Sequence, residues 1–227
     1  MSGLIRTGLL MLGLLICGSA VSPSPAADEP VIASASGRIN HAGFRNRSHC
    51  TGFVVKGGHV VTAAHCLPGW DGEQVHFLRG YDRGDLAQHI SAPRAAWHTL
   101  RGRDIAVLCN AAPDAPAFGF GDDDRNDDRD DDAGKGRRIV PGDDLLIPGY
   151  AIPRAHMLQS HHCQVWKLEE GGGIRVACPV RPGTSGAPVL QAVAEGFRVV
   201  GVMSASSRTA ARADRLDADM LAPCAVP

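Results

Sequence analysis

Short apolar runs separated by turn residues dominate the chain beyond its N-terminal segment, and they restrict the fold more than any other feature. Glycine, proline, aspartate or asparagine separates the runs, and each is only four to seven residues long. Strands of this length are typical of all-β barrels and sandwiches. The segment 209–221 differs, because its alanine, arginine and leucine content predicts a short C-terminal helix. The predicted strands are 51–56, 59–62, 74–78, 104–108, 144–147, 164–168, 174–177, 187–191 and 197–203.

Length and charge narrow the class of protein further. The chain has 227 residues, of which 44% are hydrophobic, and this is enough for one compact unit or two small barrels. Its formal net charge is −1 at pH 7. No overall field therefore favours binding to nucleic acid or to an anionic membrane.

The N-terminus has the pattern of a secretory signal peptide. Arg6 precedes the apolar run 9–17, and small residues and prolines follow that run. The run is too short to span a bilayer, which favours export followed by cleavage after Ala20 or after Ala26. A lipoprotein site at Cys17 is the disfavoured alternative, because an isoleucine precedes the cysteine. We expect a secreted or periplasmic protein.

The cysteine count fits an exported chain. Loss of the leader removes one of the seven cysteines and leaves an even number, which indicates disulfides in an oxidising compartment. Six cysteines allow 15 pairings, so spacing alone does not fix the bridges. No CxxC pair is present. The adjacent His161, His162 and Cys163 would point alternately to opposite faces of a strand, which makes this cluster a poor chelator of a metal ion.

An acidic run at 122–132 divides the chain, with eight aspartates in eleven positions. A solvated surface loop or interdomain linker is the favoured interpretation. A calcium loop is the alternative, since acidic and amide side chains alternate there, but the glycine and glutamate of an EF-hand are missing. The alternating oxygen ligands would be Asp124, Asn126, Asp128 and Asp130.

Three residues in one order carry the chemistry: His65 in VTAAHC, Asp104 in RDIAVL and Ser185 in RPGTSGAP. A hydroxyl nucleophile, a base that deprotonates it and a carboxylate that orients the base form a serine-hydrolase triad. The order Ser–Asp–His is impossible, because no histidine follows Ser185. The order Asp–His–Ser would need Asp28, which lies in the leader region.

The neighbours of these residues strengthen the pattern. Cys66 follows His65, and a bridge from Cys66 to Cys50 would fix the histidine loop. Gly183 permits backbone geometry that other residues resist. The amides of Gly183 and Ser185 can then hold a developing oxyanion. Each motif alone is also compatible with an ordinary surface turn.

Together, the segments 50–66, 104–108 and 183–188 resemble the three core motifs of the trypsin-like (chymotrypsin-fold) serine proteases. The bacterial branch that includes the glutamyl endopeptidases is the most similar, and the match covers roughly residues 35–215 in order and spacing. The resemblance implies an all-β fold of two packed antiparallel β-barrels, with the catalytic residues in the cleft between them.

The resemblance also assigns roles by position. His65 becomes the general base, Asp104 orients it, Ser185 is the nucleophile, and the amides of Gly183 and Ser185 form the oxyanion hole. The implied function is a secreted, monomeric endopeptidase acting on protein or peptide substrates, without a cofactor and without a membrane contact once the leader is removed. A catalytically silent binding module and an esterase on the same scaffold are the alternatives.

The implied domain organisation follows the motifs. A signal peptide occupies 1–26, and an N-terminal barrel at 27–120 carries the histidine and the aspartate. An acidic linker or loop occupies 121–136. A C-terminal barrel at 137–227 carries the serine.

The segment 201–207 resembles the strand that lines the substrate cleft. Ser204 there resembles the serine that supports the aspartate. Ala205 and Ser206 replace the usual Trp-Gly pair, and Pro179 stands where trypsin-like specificity needs an acid. These four residues are the predicted substrate-binding positions, and a preference for arginine or lysine is not expected.

Two further positions depart from the family pattern. Thr184 replaces the aspartate that pairs with a freed N-terminus in zymogen-type members, so no activation of that kind is expected. No histidine lies near Met203, where glutamate-preferring members carry one. The family also often bridges the region before the serine, which implies Cys163–Cys178 and leaves Cys109 with Cys224.

Overall fold

The computed structural model describes residues 29–41, 49–120, 138–193, 196–206 and 211–224. The predicted signal peptide at 1–26 and the acidic run at 122–132, with its calcium alternative, lie outside the described residues.

The first half of the chain forms a seven-stranded antiparallel sheet that curves into an open half-barrel. Its strand order is β5-β4-β1-β2-β3-β7-β6. One short helix precedes the sheet, and two 3₁₀ turns, Ala64–Cys66 and Arg94–Ala96, interrupt it. The elements are α1 (Glu29–Ala35), β1 (Ser36–Asn40), β2 (His49–Val55), β3 (His59–Thr62), β4 (Gln74–Arg79), β5 (Gln88–Pro93), β6 (His98–Thr99) and β7 (Ala106–Leu108).

The second half forms a closed barrel. Its sheet has the order β12-β9-β10-β11-β14-β13-β8, and pairing of β12 with β13 closes six of these strands into a ring. β8 joins the outside of β13 in parallel. The elements are β8 (Gly119–Phe120), β9 (Asp144–Gly149), β10 (Gln159–Glu169), β11 (Gly173–Ala177), β12 (Pro188–Val193), β13 (Gly196–Ser206) and β14 (Ala211–Arg215).

One hydrophobic cluster joins the two sheets. Apolar side chains that alternate along the short strands point inward, and several from each sheet meet in this cluster. The predicted all-β fold of two packed barrels is therefore confirmed, with the first barrel open. The shared cluster includes Phe53, Val61, Ile105 and Val107 from the first half of the chain and Leu146, Leu190, Val199 and Val202 from the second.

The C-terminal helix is shorter than predicted. The segment 209–221 was expected to be helical, but Ala211–Arg215 is a strand, and only Ala218–Cys224 forms a 3₁₀ helix. The strand pairs with β11 and β13 and completes the barrel. Tertiary pairing that buries Ala211 and Ala213 thus overrides a helix propensity that is weak per residue.

Three disulfides hold the fold: Cys50–Cys66, Cys109–Cys224 and Cys163–Cys178. Cys50–Cys66 was expected from its position beside His65, and the other two pairs are those that the resemblance implied. The second bridge connects the end of β7 to the C-terminal 3₁₀ helix and so links the first sheet to the end of the chain. Among the described residues, no helix combines the length and apolar character that crossing a membrane requires.

Candidate active site

His65 lies on the 3₁₀ turn that follows β3. The disulfide between Cys66 and Cys50 ties this turn to β2. On the other side, the backbone N–H of Ala64 donates to the carbonyl oxygen of Asp104 at 3.2 Å. The turn is therefore fixed from both sides, and the ring of His65 stays partly exposed.

Asp104 lies two residues before β7, and both of its carboxylate oxygens accept hydrogen bonds from His65. Nδ1 of His65 donates to Oδ2 at 2.6 Å, and the backbone N–H of His65 donates to Oδ1 at 2.9 Å. The hydroxyl of Ser204 donates to Oδ2 at 2.8 Å. Because the carboxylate accepts the Nδ1 proton, the neutral ring carries its lone pair on Nε2.

The same contacts shift the pKa of both groups. The hydrogen bond to Asp104 raises the pKa of His65 above its ordinary value, although partial burial acts in the opposite direction. Burial tends to raise the pKa of Asp104, but hydrogen bonds from His65 and Ser204 outweigh it and hold that pKa below its ordinary value. At neutral pH Asp104 is therefore ionised.

Ser185 sits in a tight double turn between β11 and β12. The backbone N–H and the hydroxyl of Thr184 both donate to the carbonyl of Arg181, at 3.1 and 2.8 Å. Gly183 and Gly186 have φ values of +98° and +78°. This left-handed region favours glycine, and so the two glycines that flank the serine are required by the backbone.

Packing brings the serine turn against the segment that leads to His65. The carbonyl of Ser185 accepts a hydrogen bond from the backbone N–H of Thr51 at 2.8 Å. A Cβ atom added to Gly186 would lie 2.9 Å from the nitrogen of Ala63, two residues before the histidine. Within the described residues, no hydrogen bond joins Ser185 Oγ to His65 Nε2. Such bonds are often long in unliganded sites.

The amides of this turn divide into two sets. The N–H groups of Thr184 and Gly186 already donate hydrogen bonds within the protein, to the carbonyls of Arg181 and Met203 respectively. Those of Gly183 and Ser185 find no acceptor in the described part of the chain. The two amides expected to form an oxyanion hole are thus the two that remain available as donors.

The predicted substrate-binding residues fall into different environments. Pro179 is exposed and directly follows Cys178, whose disulfide anchors that segment to β10. Ser204 is buried, and its hydroxyl bonds to Asp104. The backbones of Ala205 and Ser206 pair with β14, and their side chains lie outside the described part of the structure.

Sequence reasoning missed two residues that hold the site. Thr51 is fully buried and bonds to the serine turn. Asp214 is 2% exposed, and its Oδ2 accepts a hydrogen bond from the backbone N–H of Asp104 at 2.7 Å. Neither has a local sequence signal, because each contacts a segment more than 100 positions away.

Two clusters of histidine and cysteine side chains in the described part of the chain have no free thiolate that could bind a metal ion. Cys50, His65 and Cys66 lie close together, as do His59, Cys109 and Cys224. Each cysteine in these two groups is in a disulfide, which removes the thiolate that a metal would need.

Comparison with protein families gives a match that spans most of the chain. A family model described as a trypsin-like peptidase domain matches residues 50–202, which contain all three predicted catalytic residues. Comparison with curated protein sequences finds no match.

Solved structures share the fold at low sequence identity. The thermostable serine protease AL20 from an extremophilic microorganism is 17% identical, with a TM-score of 0.59 over 82% of this chain and 93% of that one. The active form of the Rv3671c protease from M. tuberculosis is 18% identical, with a TM-score of 0.60 over 98% and 91%. A serine protease from a human pathogenic astrovirus is 18% identical, with a TM-score of 0.55 over 84% and 94%. Identities this low establish the fold and nothing finer.

Proposed function

The chain belongs to the trypsin-like peptidase family, and we propose that it is an exported serine endopeptidase acting through His65, Asp104 and Ser185. The observation that carries this proposal is the hydrogen bond from Nδ1 of His65 to Oδ2 of Asp104, at a distance of 2.6 Å. Because Nδ1 carries the proton in that contact, the lone pair of the neutral ring is on Nε2, which is the arrangement a general base requires. The disulfide-bonded Sγ of Cys66 lies 3.8 Å from Nε2 and has no proton to donate to it. The available amides beside Ser185 support the same function.

The reaction follows from these positions. Oγ of Ser185 attacks the carbonyl carbon of the scissile peptide bond, and its proton passes to Nε2 of His65. The resulting oxyanion accepts hydrogen bonds from the amides of Gly183 and Ser185. His65 then protonates the departing amine, leaving an acyl-enzyme ester. Water, deprotonated by His65, then attacks the ester carbon. The acid product leaves as His65 returns that proton to Oγ of Ser185, while Asp104 remains ionised throughout.

Activation does not require a freed N-terminus in this proposal. Thr184 has no charge to pair with an ammonium group, and its hydroxyl is already bonded to the carbonyl of Arg181 within the turn. The hydroxyl of Thr184 thus stabilises the turn without an ammonium group as a partner. The mature enzyme is proposed to be active without the switch that an aspartate at this position would provide.

The proposal excludes two preferences for the side chain at the cleaved bond. We propose that the enzyme belongs to the bacterial branch that includes the glutamyl endopeptidases, whose motifs the segments around Cys50 and Ser185 resemble. Pro179 supplies no acid for arginine or lysine, and Met203 stands where glutamate-preferring members carry histidine. Preference for a basic or a glutamate side chain is therefore not part of the proposal.

The disulfides and the N-terminal segment together support a proposed location outside the cytoplasm. Three disulfides fit an oxidising compartment, and the segment 1–26 has the pattern of a cleaved signal. We expect a secreted or periplasmic monomer with protein or peptide substrates, without nucleic acid, cofactor or membrane partners. The domain organisation proposed is a first barrel at 27–120, a linker at 121–136 and a second barrel at 137–227.

Hydrolysis by the purified mature protein tests the proposal. Wild type and Ser185→Ala are incubated with casein and with a small activated ester, and both activities are expected in the wild type alone. Ester turnover without casein cleavage would favour the esterase. A folded wild type that hydrolyses neither substrate would favour the silent binding module.

A further inference from the structure

Thr51 has an unusual concentration of contacts for a residue outside the proposed triad. It lies on β2 of the first sheet and is fully buried. Its hydroxyl, its backbone N–H and its backbone carbonyl are all hydrogen-bonded. Two of its bonds go to the turn that carries the proposed nucleophile, which belongs to the other half of the chain.

The hydroxyl of Thr51 bridges two segments of the second barrel. It donates to the carbonyl oxygen of Gly183 at 2.8 Å and accepts from the backbone N–H of Tyr150 at 3.0 Å. The backbone N–H of Thr51 donates to the carbonyl of Ser185 at 2.8 Å. One residue therefore holds two carbonyl groups of the serine turn, one through its side chain and one through its backbone.

These two carbonyls determine how the amide donors of the turn are oriented. A peptide unit is planar, so fixing a carbonyl also fixes the N–H on the same plane and limits the planes on either side. Thr51 holds the planes 183–184 and 185–186. The peptide unit 184–185 lies between these two planes and contains the N–H of Ser185. The peptide unit 182–183 precedes them and contains the N–H of Gly183.

The surroundings leave the turn little room to adopt another orientation. Nε2 of His49 bonds to the carbonyl of Tyr150 at 2.6 Å. A Cβ atom at Gly183 would overlap that same carbonyl and would lie 2.5 Å from Nε2 of His49. A Cβ atom at Gly149 would lie 3.3 Å from Oγ1 of Thr51. The turn is packed directly against β2 and the end of β9.

We infer that the Thr51 hydroxyl is a positioning group for the oxyanion hole. It holds the Gly183 carbonyl so that the amides of Gly183 and Ser185 face the developing negative charge. Thr51 does not touch the substrate, and its effect acts through the turn. This role deepens the proposed function and rests on it.

The test compares two substitutions of the same side chain. Thr51→Val keeps the shape but removes the hydroxyl, and Thr51→Ser keeps the hydroxyl. Val75→Ala, in the core of the first sheet on β4, is a control that loses stability without touching the turn. For each variant kcat and KM are measured with a peptide substrate, together with Tm and the affinity for a peptide aldehyde, whose adduct places an oxygen in the oxyanion hole.

The expected result is a loss in kcat of about 10- to 100-fold for Thr51→Val with KM within about twofold, since misplaced donors weaken transition-state binding. The aldehyde should bind more weakly by a similar factor. Thr51→Ser should stay within about threefold of wild type in both measurements, because it retains the hydroxyl bond to Gly183. The inference is overturned if Thr51→Val loses no more kcat than Val75→Ala, or if Thr51→Ser is as impaired as Thr51→Val.

A second measurement separates this inference from the proposed function. The ¹⁵N–¹H shifts of Gly183 and Ser185 report the orientation of their amides whether or not the protein hydrolyses anything. Thr51→Val should move both resonances while Thr51→Ser leaves them near their wild-type positions. Unchanged resonances in Thr51→Val would refute the positioning role, whereas an inactive wild type with the expected shifts would refute only the proposed function.

Discussion

The backbone N–H of Asp104 donates a hydrogen bond to Oδ2 of Asp214, at a distance of 2.7 Å. Asp214 lies on β14 of the closed barrel, whereas Asp104 lies just before β7 of the first sheet. The other oxygen of Asp214 accepts from Arg212 at 2.9 Å. A buried carboxylate of one barrel therefore anchors the backbone of the residue that orients His65 in the other.

Substitution of Asp214 should reduce both stability and turnover. Asp214→Ala leaves the Asp104 N–H without its acceptor, which costs about 1–3 kcal/mol of unfolding free energy. Asp214→Asn keeps an acceptor oxygen and should lose less than half of that. Urea denaturation and kcat measurements test this. Equal losses in the two variants would mean that the charge of Asp214, and not its hydrogen bond, is what matters.

The activity should depend on pH through His65. The ring acts as a base only when neutral, and its hydrogen bond to Asp104 raises its pKa above 6.5, the ordinary value. The value of kcat/KM should therefore fall as pH decreases through a midpoint above 6.5. Asp104→Asn removes the cause of the upward shift, so the midpoint should move down and kcat should fall about 10³- to 10⁴-fold. A flat profile from pH 5 to 8 would exclude His65 as the base.

Two glycines with similar backbone angles should tolerate alanine very differently. Gly186 has a φ of +78°, and a Cβ atom there would overlap the carbonyl of Thr51 and the hydroxyl of Thr62. Gly142 has a φ of +96°, but apart from its two chain neighbours none of the described residues has an atom within 4 Å of a Cβ atom added there. We expect Gly142→Ala to cost about 1–2 kcal/mol, from backbone strain alone.

Gly186→Ala adds a steric clash to that strain and should cost about 3 kcal/mol or more, with a large loss of kcat. Thermal and urea unfolding of both variants provides the comparison. Similar losses of stability at the two positions would show that the turn relaxes and that its packing against β2 is not constrained.

Arg38 should be replaceable with a gain in stability. Its side chain is fully buried, and within the described part of the chain its guanidinium makes no hydrogen bond; it stacks 5.0 Å from the ring centre of Tyr81. A buried charge without acceptors is costly. Arg38→Met should raise Tm by about 2–8 °C, from about 1–2 kcal/mol of relieved desolvation and about 2–4 °C per kcal/mol.

The matched control is Arg79→Met on β4. Arg79 donates to Gln88 at 3.1 Å and to the carbonyl of Ser34 at 2.8 Å, so its removal should lower Tm. A fall in Tm for Arg38→Met as large as that for Arg79→Met would contradict this view of Arg38.

Much of the fold could be predicted because the central strands are strongly apolar. β2 and β3 stand out as runs of valine and phenylalanine, and the structure places them in the core. β1 was missed although all five of its residues are buried, because its sequence, SGRIN, has no apolar alternation. β14 was mistaken for helix, since pairing with two neighbours decided its conformation.

The residues of the candidate site could be proposed from the sequence where local motifs or the order of residues along the chain pointed to them. His65 and Ser185 have distinctive neighbours, whereas Asp104 was identified by its place in the chain order. The contacts of Thr51 with Gly183 and of Asp214 with Asp104 span 132 and 110 positions. Contacts between residues so far apart in the sequence form only when the two barrels pack together. No local sequence pattern predicts them.

Covalent labelling by a fluorophosphonate probe tests the central claim most directly. The folded mature protein is labelled beside Ser185→Ala and beside a urea-denatured sample, and the modified peptide is identified by mass spectrometry. The account predicts one adduct, on Ser185, which is lost in the variant and on denaturation because reaction needs the assembled His65–Asp104 pair. A folded, disulfide-bonded protein that takes up no probe, or one labelled at another residue, would contradict it.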